Sequence, residues 1–128
     1  MKKIVVSIQN SLLAEMLTIN LRESGEFIPQ RCLFKKENEE YDNCRLLSAD
    51  ILLMEVSYTP ATTLEKRMED VERVRKTVPD CKIVLLCDEN SAPNVAYEVA
   101  QAKQDGVIDE FFYSSVGAKY LIAALNAL

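Results

Sequence analysis

Short apolar runs alternate with longer segments of helical periodicity along the 128 residues of this chain. The runs KIVVSI, ILLMEV and CKIVLLC show little alternation of polar and apolar residues, which is typical of strands that a parallel sheet buries on both faces. Together with two weaker runs, they predict five strands at residues 3–8, 27–34, 50–56, 81–87 and 107–112. Pro29 cannot donate a hydrogen bond to a neighbouring strand, so the second strand is expected at an edge of the sheet.

A helix is predicted after every strand, and capping residues, glycine or proline mark its ends. The first helix starts at Asn10 or Ser11 and ends at Gly25, while the second, at residues 35–47, is charged and only weakly periodic. The third helix is predicted to start after Pro60, with a Thr62–Glu65 capping box, and to end at Pro79. The fourth is predicted to start near Ser91 to Pro93 and to end at Gly106, and Ser114 or Ser115 is predicted to cap the fifth. The residues expected to face the core are Leu12, Leu13, Met16, Leu17 and Leu21 in the first helix, Leu64, Met68, Val71, Val74 and Val78 in the third, and Leu121, Leu125 and Leu128 in the last.

Strands that alternate with helices imply right-handed crossovers and a parallel sheet with helices on both faces. Because the second strand is expected at an edge, the predicted strand order is 2-1-3-4-5. The predicted fold class is α/β, a doubly wound five-stranded parallel sheet of the flavodoxin-like kind. A chain of 128 residues with 48% hydrophobic content can bury one core, so residues 1–128 are expected to form one domain.

Composition excludes several classes of function. The 15 Lys and Arg against 20 Asp and Glu give a net charge of −5, which opposes binding of this segment to nucleic acid. No apolar run approaches the roughly 20 residues of a membrane span and no signal peptide is visible, so we expect a cytoplasmic protein without membrane contact. The four cysteines show no CxxC spacing and histidine is absent, so no metal site is expected and the thiols are expected to be reduced and buried.

Candidate functional residues are those that follow the strands, because ligands of such sheets bind at the carboxyl ends of the strands, near the switch point between the first and the third. They are Ile8, Gln9 and Asn10 after the first strand, Glu55 near the end of the third, Cys87 and Asp88 after the fourth, and Tyr113 and Ser114 after the fifth.

Three segments resemble parts of receiver domains from two-component response regulators: KKIVVSIQNSLLAEMLTINLRESG the first strand and helix, ADILLMEV the third strand, and GVIDEFFYSS the fifth strand and following turn. The resemblance covers essentially the whole chain in the order and pattern of its elements. In that family, an acidic pair after the first strand binds magnesium, and an Asp at the end of the third strand accepts a phosphoryl group from a histidine kinase. A Thr or Ser after the fourth strand and a Lys after the fifth contact the phosphoryl oxygens.

The chain departs from the family at each of these chemical positions. The acidic pair falls on Ile8 and Gln9, the phosphoacceptor on Glu55, the hydroxyl on Cys87, and the lysine on Tyr113 or Ser114. A divalent cation would have few oxygen ligands there. We therefore interpret the chain as a degenerate receiver, or pseudo-receiver, that is not an enzyme, takes no cofactor and acts by protein–protein interaction independent of phosphorylation.

Three interpretations of Glu55 remain open: a solvated carboxylate without a task, a permanent charge that stands in for a phosphorylated Asp, and a true phosphoacceptor. The thiol of Cys87 is expected to be unreactive, because Asp88 and Glu89 beside it would raise its pKa.

The resemblance places a contact surface on the fourth helix, fifth strand and fifth helix, for a protein partner or a homodimer. Its candidate residues are Tyr97, Phe111, Tyr113 and Tyr120. An output domain could follow in a longer chain.

The alternative is an enzyme or small-molecule sensor that uses a strand-end pocket around Gln9, Glu55, Cys87 and Tyr113. The first turn carries no GxGxxG or Walker motif, and a cobalamin module would need a histidine ligand. The charged stretches ENEEYDN and EKRMEDVERVRK are expected to be solvated helix faces.

Overall fold

The structure is a computed structural model, and it describes residues 1–88 and 93–128. The strands are β1 (Lys2–Ser7), β2 (Phe27–Arg31), β3 (Ile51–Val56), β4 (Lys82–Cys87) and β5 (Glu110–Tyr113). The helices are α1 (Ser11–Glu23), α2 (Glu39–Leu47), α3 (Leu64–Thr77), α4 (Pro93–Gln104) and α5 (Ala118–Asn126). Strands and helices alternate, as the sequence predicts.

All strands pair in parallel in one sheet of order β2-β1-β3-β4-β5, so the predicted fold class and strand order are confirmed. β2, which contains Pro29, pairs only with β1 and lies at an edge. The register aligns Ser7 with Met54 and Val56 with Cys87. The carboxyl ends of β1, β3 and β4 therefore meet along one side of the sheet.

The core consists of two layers, one on each face of the sheet. Val5, Leu52, Leu85 and other residues of one face pack with apolar residues of α2, α3 and α4. Ile4 and Leu53 of the opposite face pack with α1 and α5. β1, β3 and β4 are buried on both faces, which explains why their sequences lack polar alternation.

Helix α1 presents a different face to the core from the predicted one. Leu17 and Leu21 are buried as expected, but the prediction for Leu12, Leu13 and Met16 is wrong: Leu12 is 69% exposed and Met16 55%. The buried positions are Ala14, Leu17, Thr18 and Leu21. Thr18 can be buried because its hydroxyl donates to the Ala14 carbonyl oxygen at 2.6 Å, which satisfies the polar group within the helix.

Two predicted helix caps are also wrong. Thr63, not Thr62, caps α3, and its side chain accepts a hydrogen bond from the Lys66 backbone. Gly117, not Ser114 or Ser115, precedes α5. Thr62 is displaced because its hydroxyl is bonded within the preceding loop. Ser114 and Ser115 are displaced because they lie in a turn, closed by the Val116 N–H and the Tyr113 carbonyl oxygen, that precedes α5.

Several predicted boundaries shift by a few residues. β2 ends at Arg31, three residues early, and α2 starts only at Glu39. Phe34 and Asn38 in the intervening loop have φ angles of 58° and 62°, a left-handed conformation that neither a strand nor a helix contains. β5 starts at Glu110. Ser91 in the predicted start of α4 lies outside the described residues.

All four cysteines are free and buried, as predicted. Within residues 1–88 and 93–128, no helix has the length and apolar character needed to cross a membrane.

The assignment of α1 faces can be tested by two alanine variants. Leu17→Ala should lower the free energy of unfolding by about 2–4 kcal/mol, because it removes buried methyl groups and leaves a cavity. Leu12→Ala should change it by less than about 0.5 kcal/mol. Urea unfolding at low protein concentration would measure both, and a larger loss for Leu12→Ala would contradict the observed orientation.

Candidate functional site

A polar groove lies at the carboxyl ends of β1 and β3, with a volume of about 300 Å³. The residues that line it are Gln9, Asn10, Glu55, Ser57, Tyr58, Thr59 and Asp88. The groove therefore brings together four of the residues that the sequence singles out, with hydroxyl groups from the loop between β3 and α3. The four are Gln9, Asn10, Glu55 and Asp88.

The carboxylate of Glu55 is held by the turn after β1. Its Oε1 accepts a hydrogen bond from the Gln9 backbone N–H at 2.6 Å. The Gln9 side-chain carbonyl oxygen in turn accepts from the Thr59 hydroxyl at 2.6 Å. Glu55 is only half-buried, but this contact fixes one of its oxygens.

The loop between β3 and α3 is organised by three hydroxyl side chains. The Thr62 hydroxyl lies 2.7 Å from that of Ser57 and 2.5 Å from that of Thr59. The Ser57 N–H donates to the Thr62 carbonyl oxygen at 3.0 Å. Because Thr62 is fully buried in this cluster, it is unavailable as the cap of α3.

A fully buried arginine, Arg67 of α3, lies directly beneath the strand ends. Its Nε donates to the Glu55 carbonyl oxygen at 2.8 Å, and its Nη2 donates to the Ser7 carbonyl oxygen at 2.9 Å. Its Nη1 donates to Ser7 Oγ at 3.0 Å and to Glu40 Oε1 at 3.2 Å. The guanidinium thus joins β1, β3 and α2, and the Phe34 ring lies 5.8 Å from its Cζ atom.

Two buried carboxylates accompany this cation. Glu40 accepts from the Ser7 hydroxyl at 2.8 Å as well as from Arg67. Asp70 Oδ1 accepts from Lys66 at 2.8 Å, while its Oδ2 lies 3.8 Å from Arg67 Nη1 and has no hydrogen-bond partner. Burial raises the pKa of Asp70, and the charge of Glu40 adds to this although Lys66 and Arg67 oppose it.

The prediction that both charged stretches are solvated is therefore wrong for Arg67, Asp70, Glu39 and Glu40, which are all buried. The sequence does indicate the burial of Arg67, because Arg67 precedes Val71 by four residues and therefore lies on the same, core-facing side of α3. The Glu39 carboxylate accepts hydrogen bonds from the Leu33 and Lys35 backbone N–H groups, which accounts for its burial in the loop before α2.

The other predicted site residues do not line the groove. The Ile8 side chain is buried in the layer formed with α1 and α5. Cys87 is buried too, and its burial, with a smaller contribution from Asp88, raises the pKa of its thiol to about 11. Tyr113 pairs with Cys87 in the sheet, and the Ser114 N–H donates to the Cys87 carbonyl oxygen at 2.8 Å. Ser114 lines a separate cleft between α1 and α5.

The tyrosines of α4, β5 and α5 are exposed. Tyr97 is 74% exposed, and Tyr113 and Tyr120 are exposed as well. Phe111 is partly buried against the core and makes an edge-to-face contact with Tyr113, with ring centroids 5.9 Å apart. Phe111 therefore supports Tyr113 from the core side, and Tyr120 makes an edge-to-face contact with Phe112, with ring centroids 6.3 Å apart.

Among the residues that the structure describes, no group of three or more His, Cys, Asp or Glu side chains is arranged to hold a metal ion. Glu55 and Asp88 are the two carboxylates that line the strand-end groove.

Solved structures with the same architecture include several response regulators. The chemotaxis protein CheY4 from Vibrio cholerae is 16% identical, with a TM-score of 0.76, and the match covers 99% of this chain and 98% of that one. The chain has the receiver fold. The response regulator TrrA from Thermotoga maritima, solved in complex with Mg²⁺ and BeF, is 21% identical with a TM-score of 0.69 and the same coverage.

A DNA-binding response regulator of the LuxR family from Staphylococcus aureus also has the receiver fold, at 10% identity and a TM-score of 0.74, over 99% of this chain and 98% of that one. No protein-family model and no curated protein matches the sequence. At sequence identities of 10–21%, the similarity to these structures is a similarity of fold.

The importance of Arg67 can be tested by replacing it with an apolar side chain of similar length. Arg67→Met should lower the free energy of unfolding by about 3–5 kcal/mol, because it leaves Glu40 and the Ser7 carbonyl without their partner. Arg75→Met is the matched control, since it removes a half-exposed ion pair with Asp109 and should cost about 1 kcal/mol. Equal losses in urea unfolding would contradict the assigned role of Arg67.

The buried carboxylate of Asp70 should make stability depend on pH. Because its pKa is raised on folding, the folded state takes up a proton as the pH falls from neutral, and the wild type should gain stability relative to Asp70→Asn. The difference should level off below the unfolded pKa of about 3.9. Unfolding curves at a series of pH values would measure the free energy of unfolding of both proteins. A wild type that loses stability relative to Asp70→Asn as the pH falls would refute the prediction.

Proposed function

We propose that this chain is a receiver-like signalling domain of a two-component or transcriptional regulator, and that it acts by protein–protein interaction without phosphorylation and without catalysis. The observation that carries the proposal is the buried guanidinium of Arg67 between the ends of β1 and β3. This cation, supplied by the chain itself, binds the backbone carbonyl oxygens of Ser7 and Glu55, beside the positions at which the family has its metal-binding acids and its phosphoacceptor.

The surroundings of Glu55 support the absence of magnesium chemistry. A divalent cation needs several oxygen ligands. The Ile8 side chain offers none, and the Gln9 carbonyl oxygen is engaged by Thr59. Phosphoryl transfer depends on positioning and on neutralisation of charge by metal and cation, and neither is provided by a groove whose charged lining residues, among those described, are the carboxylates Glu55 and Asp88.

The role that we propose for Glu55 is that of a permanent anion. Its hydrogen bond to the Gln9 N–H joins the end of β3 to the turn between β1 and α1. One carboxylate carries less charge and fewer acceptor oxygens than a phosphoryl group, so this coupling is a fixed structural contact rather than a full imitation of phosphorylation.

The proposed contact surface for a protein partner consists of Tyr97, Tyr113 and Tyr120, supported by Phe111. Exposed tyrosines supply a large contact area at low cost in side-chain entropy, and aromatic residues dominate the energetics of many interfaces. The net charge of −5 argues against direct binding of nucleic acid by this segment, so an output would come from a partner or from a further domain of a longer chain. We propose a cytoplasmic setting and a single domain over residues 1–128.

A small-molecule sensor is the second candidate, because the polar groove beside Glu55 has a volume of about 300 Å³. This volume is at the lower limit of ligand pockets, and its lining is more polar than is usual for them.

The proposal can be tested by an NMR titration of amide shifts with magnesium, followed by magnesium with beryllofluoride, which mimics an acyl phosphate on a carboxylate. We expect no saturable shifts at Gln9, Glu55 or Asp88 up to about 10 mM metal, because Glu55 and Asp88 are the only carboxylates of the described residues that line the groove and one Glu55 oxygen is engaged by the Gln9 N–H. Saturable shifts that cluster at these residues and disappear in Glu55→Gln would show that Glu55 is a functional acceptor and would contradict the proposal.

A further inference from the structure

Helix α1 carries an apolar face that points away from the core. Leu12, Leu13, Met16 and Ile19 are all exposed, although the helix buries a separate stripe of Ala14, Leu17, Thr18 and Leu21. Single exposed apolar residues are common on protein surfaces, but a contiguous group of this kind indicates an interaction site.

The spacing of the exposed residues is that of a helix-packing seam. Leu12, Met16 and Ile19 are separated by four and three residues, and Glu23 follows four residues later. Positions with this alternating spacing form one narrow stripe along a helix, as in a coiled coil. The surface is therefore shaped to receive another helix.

The seam continues into a cleft between α1 and α5. Leu13, Met16, Val116 and Leu121 line this cleft, together with Leu86 of β4. A helix that packed on α1 would thus also cover the flank of α5, on the opposite side of α5 from Tyr120. This surface is distinct from the tyrosine face proposed above.

We propose that the α1 seam pairs with the α1 seam of a second copy of this chain, with the two helices antiparallel. A twofold axis between Met16 and Ile19 places Met16 of one copy against Ile19 of the other. The same surface serves both copies, as a closed twofold interface requires.

Charge favours the antiparallel arrangement. In it, Glu23 of each copy lies beside the first turn of the other helix, which contains no acidic residue and carries the positive end of the helix dipole. A parallel pair would instead bring the two Glu23 carboxylates together, where they repel each other.

The expected dimer is weak. α1 has 13 residues and is therefore about 20 Å long, so a contact centred on it is at the small end of specific interfaces, below about 1,200 Å² in total. We expect a dissociation constant of about 10–100 µM.

Sedimentation of the full chain from about 5 to 500 µM would test the proposal. The wild type should pass from monomer to dimer, and Met16→Glu should raise the dissociation constant at least about tenfold, because it places a charge in the apolar seam. Leu46→Glu on α2 is the matched control, since Leu46 is 71% exposed and lies outside the seam, and Tyr97→Glu tests the tyrosine face. Both should dimerise like the wild type.

The proposal is overturned if the wild type stays monomeric at the highest concentration, if Met16→Glu still dimerises normally, or if Tyr97→Glu abolishes the dimer. A seam that instead binds a helix of another protein would leave the wild type monomeric. Loss of fold in Met16→Glu would be seen by circular dichroism, and in that case Met16→Gln replaces it under the same criteria.

The antiparallel register has its own test. When Met16→Cys and Ile19→Cys variants are mixed with glutathione disulfide as oxidant, the mixed disulfide should form in preference to either symmetric one. A preference for the symmetric disulfide between two Met16→Cys chains would exclude the antiparallel register. Glu23→Gln should raise the dissociation constant about 3- to 10-fold at low salt, because it removes the charge opposite the helix terminus.

Discussion

The buried guanidinium of Arg67 determines how the strand ends, the loop after β3 and the start of α2 fit together. Removing a cation from water costs several kcal/mol, and that cost is offset only where hydrogen bonds with good geometry replace the water. Here the replacements are two carbonyl oxygens, one hydroxyl and one carboxylate, contributed by β1, β3 and α2. Glu40 is buried because the cation is there, and Ser7 is tolerated inside a strand of apolar residues for the same reason. Removal of one partner leaves each group bonded to it short of a hydrogen bond in a medium of low dielectric constant.

A fixed cation gives this edge of the sheet an electrostatic character unlike that of a metal-dependent site. An exchangeable divalent ion can leave, so the carboxylates around it experience two charge states. A side-chain guanidinium stays protonated over the whole physiological range, so its neighbours experience one. Arg67 binds the Glu55 carbonyl oxygen while the Glu55 carboxylate accepts from the Gln9 N–H, so both the backbone and the side chain of this residue are held by groups of the chain itself.

The sequence predicted the elements that depend on burial by apolar side chains. β1, β3 and β4 are central strands with nearly continuous apolar sequences, and Pro29 assigned β2 to an edge. The errors occur where polar groups satisfy each other through space. Thr18 is buried because its hydroxyl binds one turn back, Thr62 because two other hydroxyls surround it, and Arg67 because its partners lie on three distant segments. Hydrophobic periodicity assigns such polar residues to the surface. The opposite error occurs in α1, where periodicity assigned the exposed apolar residues Leu12, Leu13 and Met16 to the core. The pairing of Glu55 with Gln9 followed from strand order alone, whereas the Arg67 network required knowledge of side-chain geometry.

The two edges of the sheet limit how copies of this chain can associate. β2 lacks one backbone donor at Pro29, and β5 is only four residues long, so neither edge offers a long row of free hydrogen-bonding groups to another strand. Strand addition, the route by which sheets grow into insoluble fibres, is therefore obstructed at both ends. Association through helix surfaces remains, and it is reversible because no backbone has to rearrange. A protein with such sheet edges can reach a high local concentration without growth by strand addition.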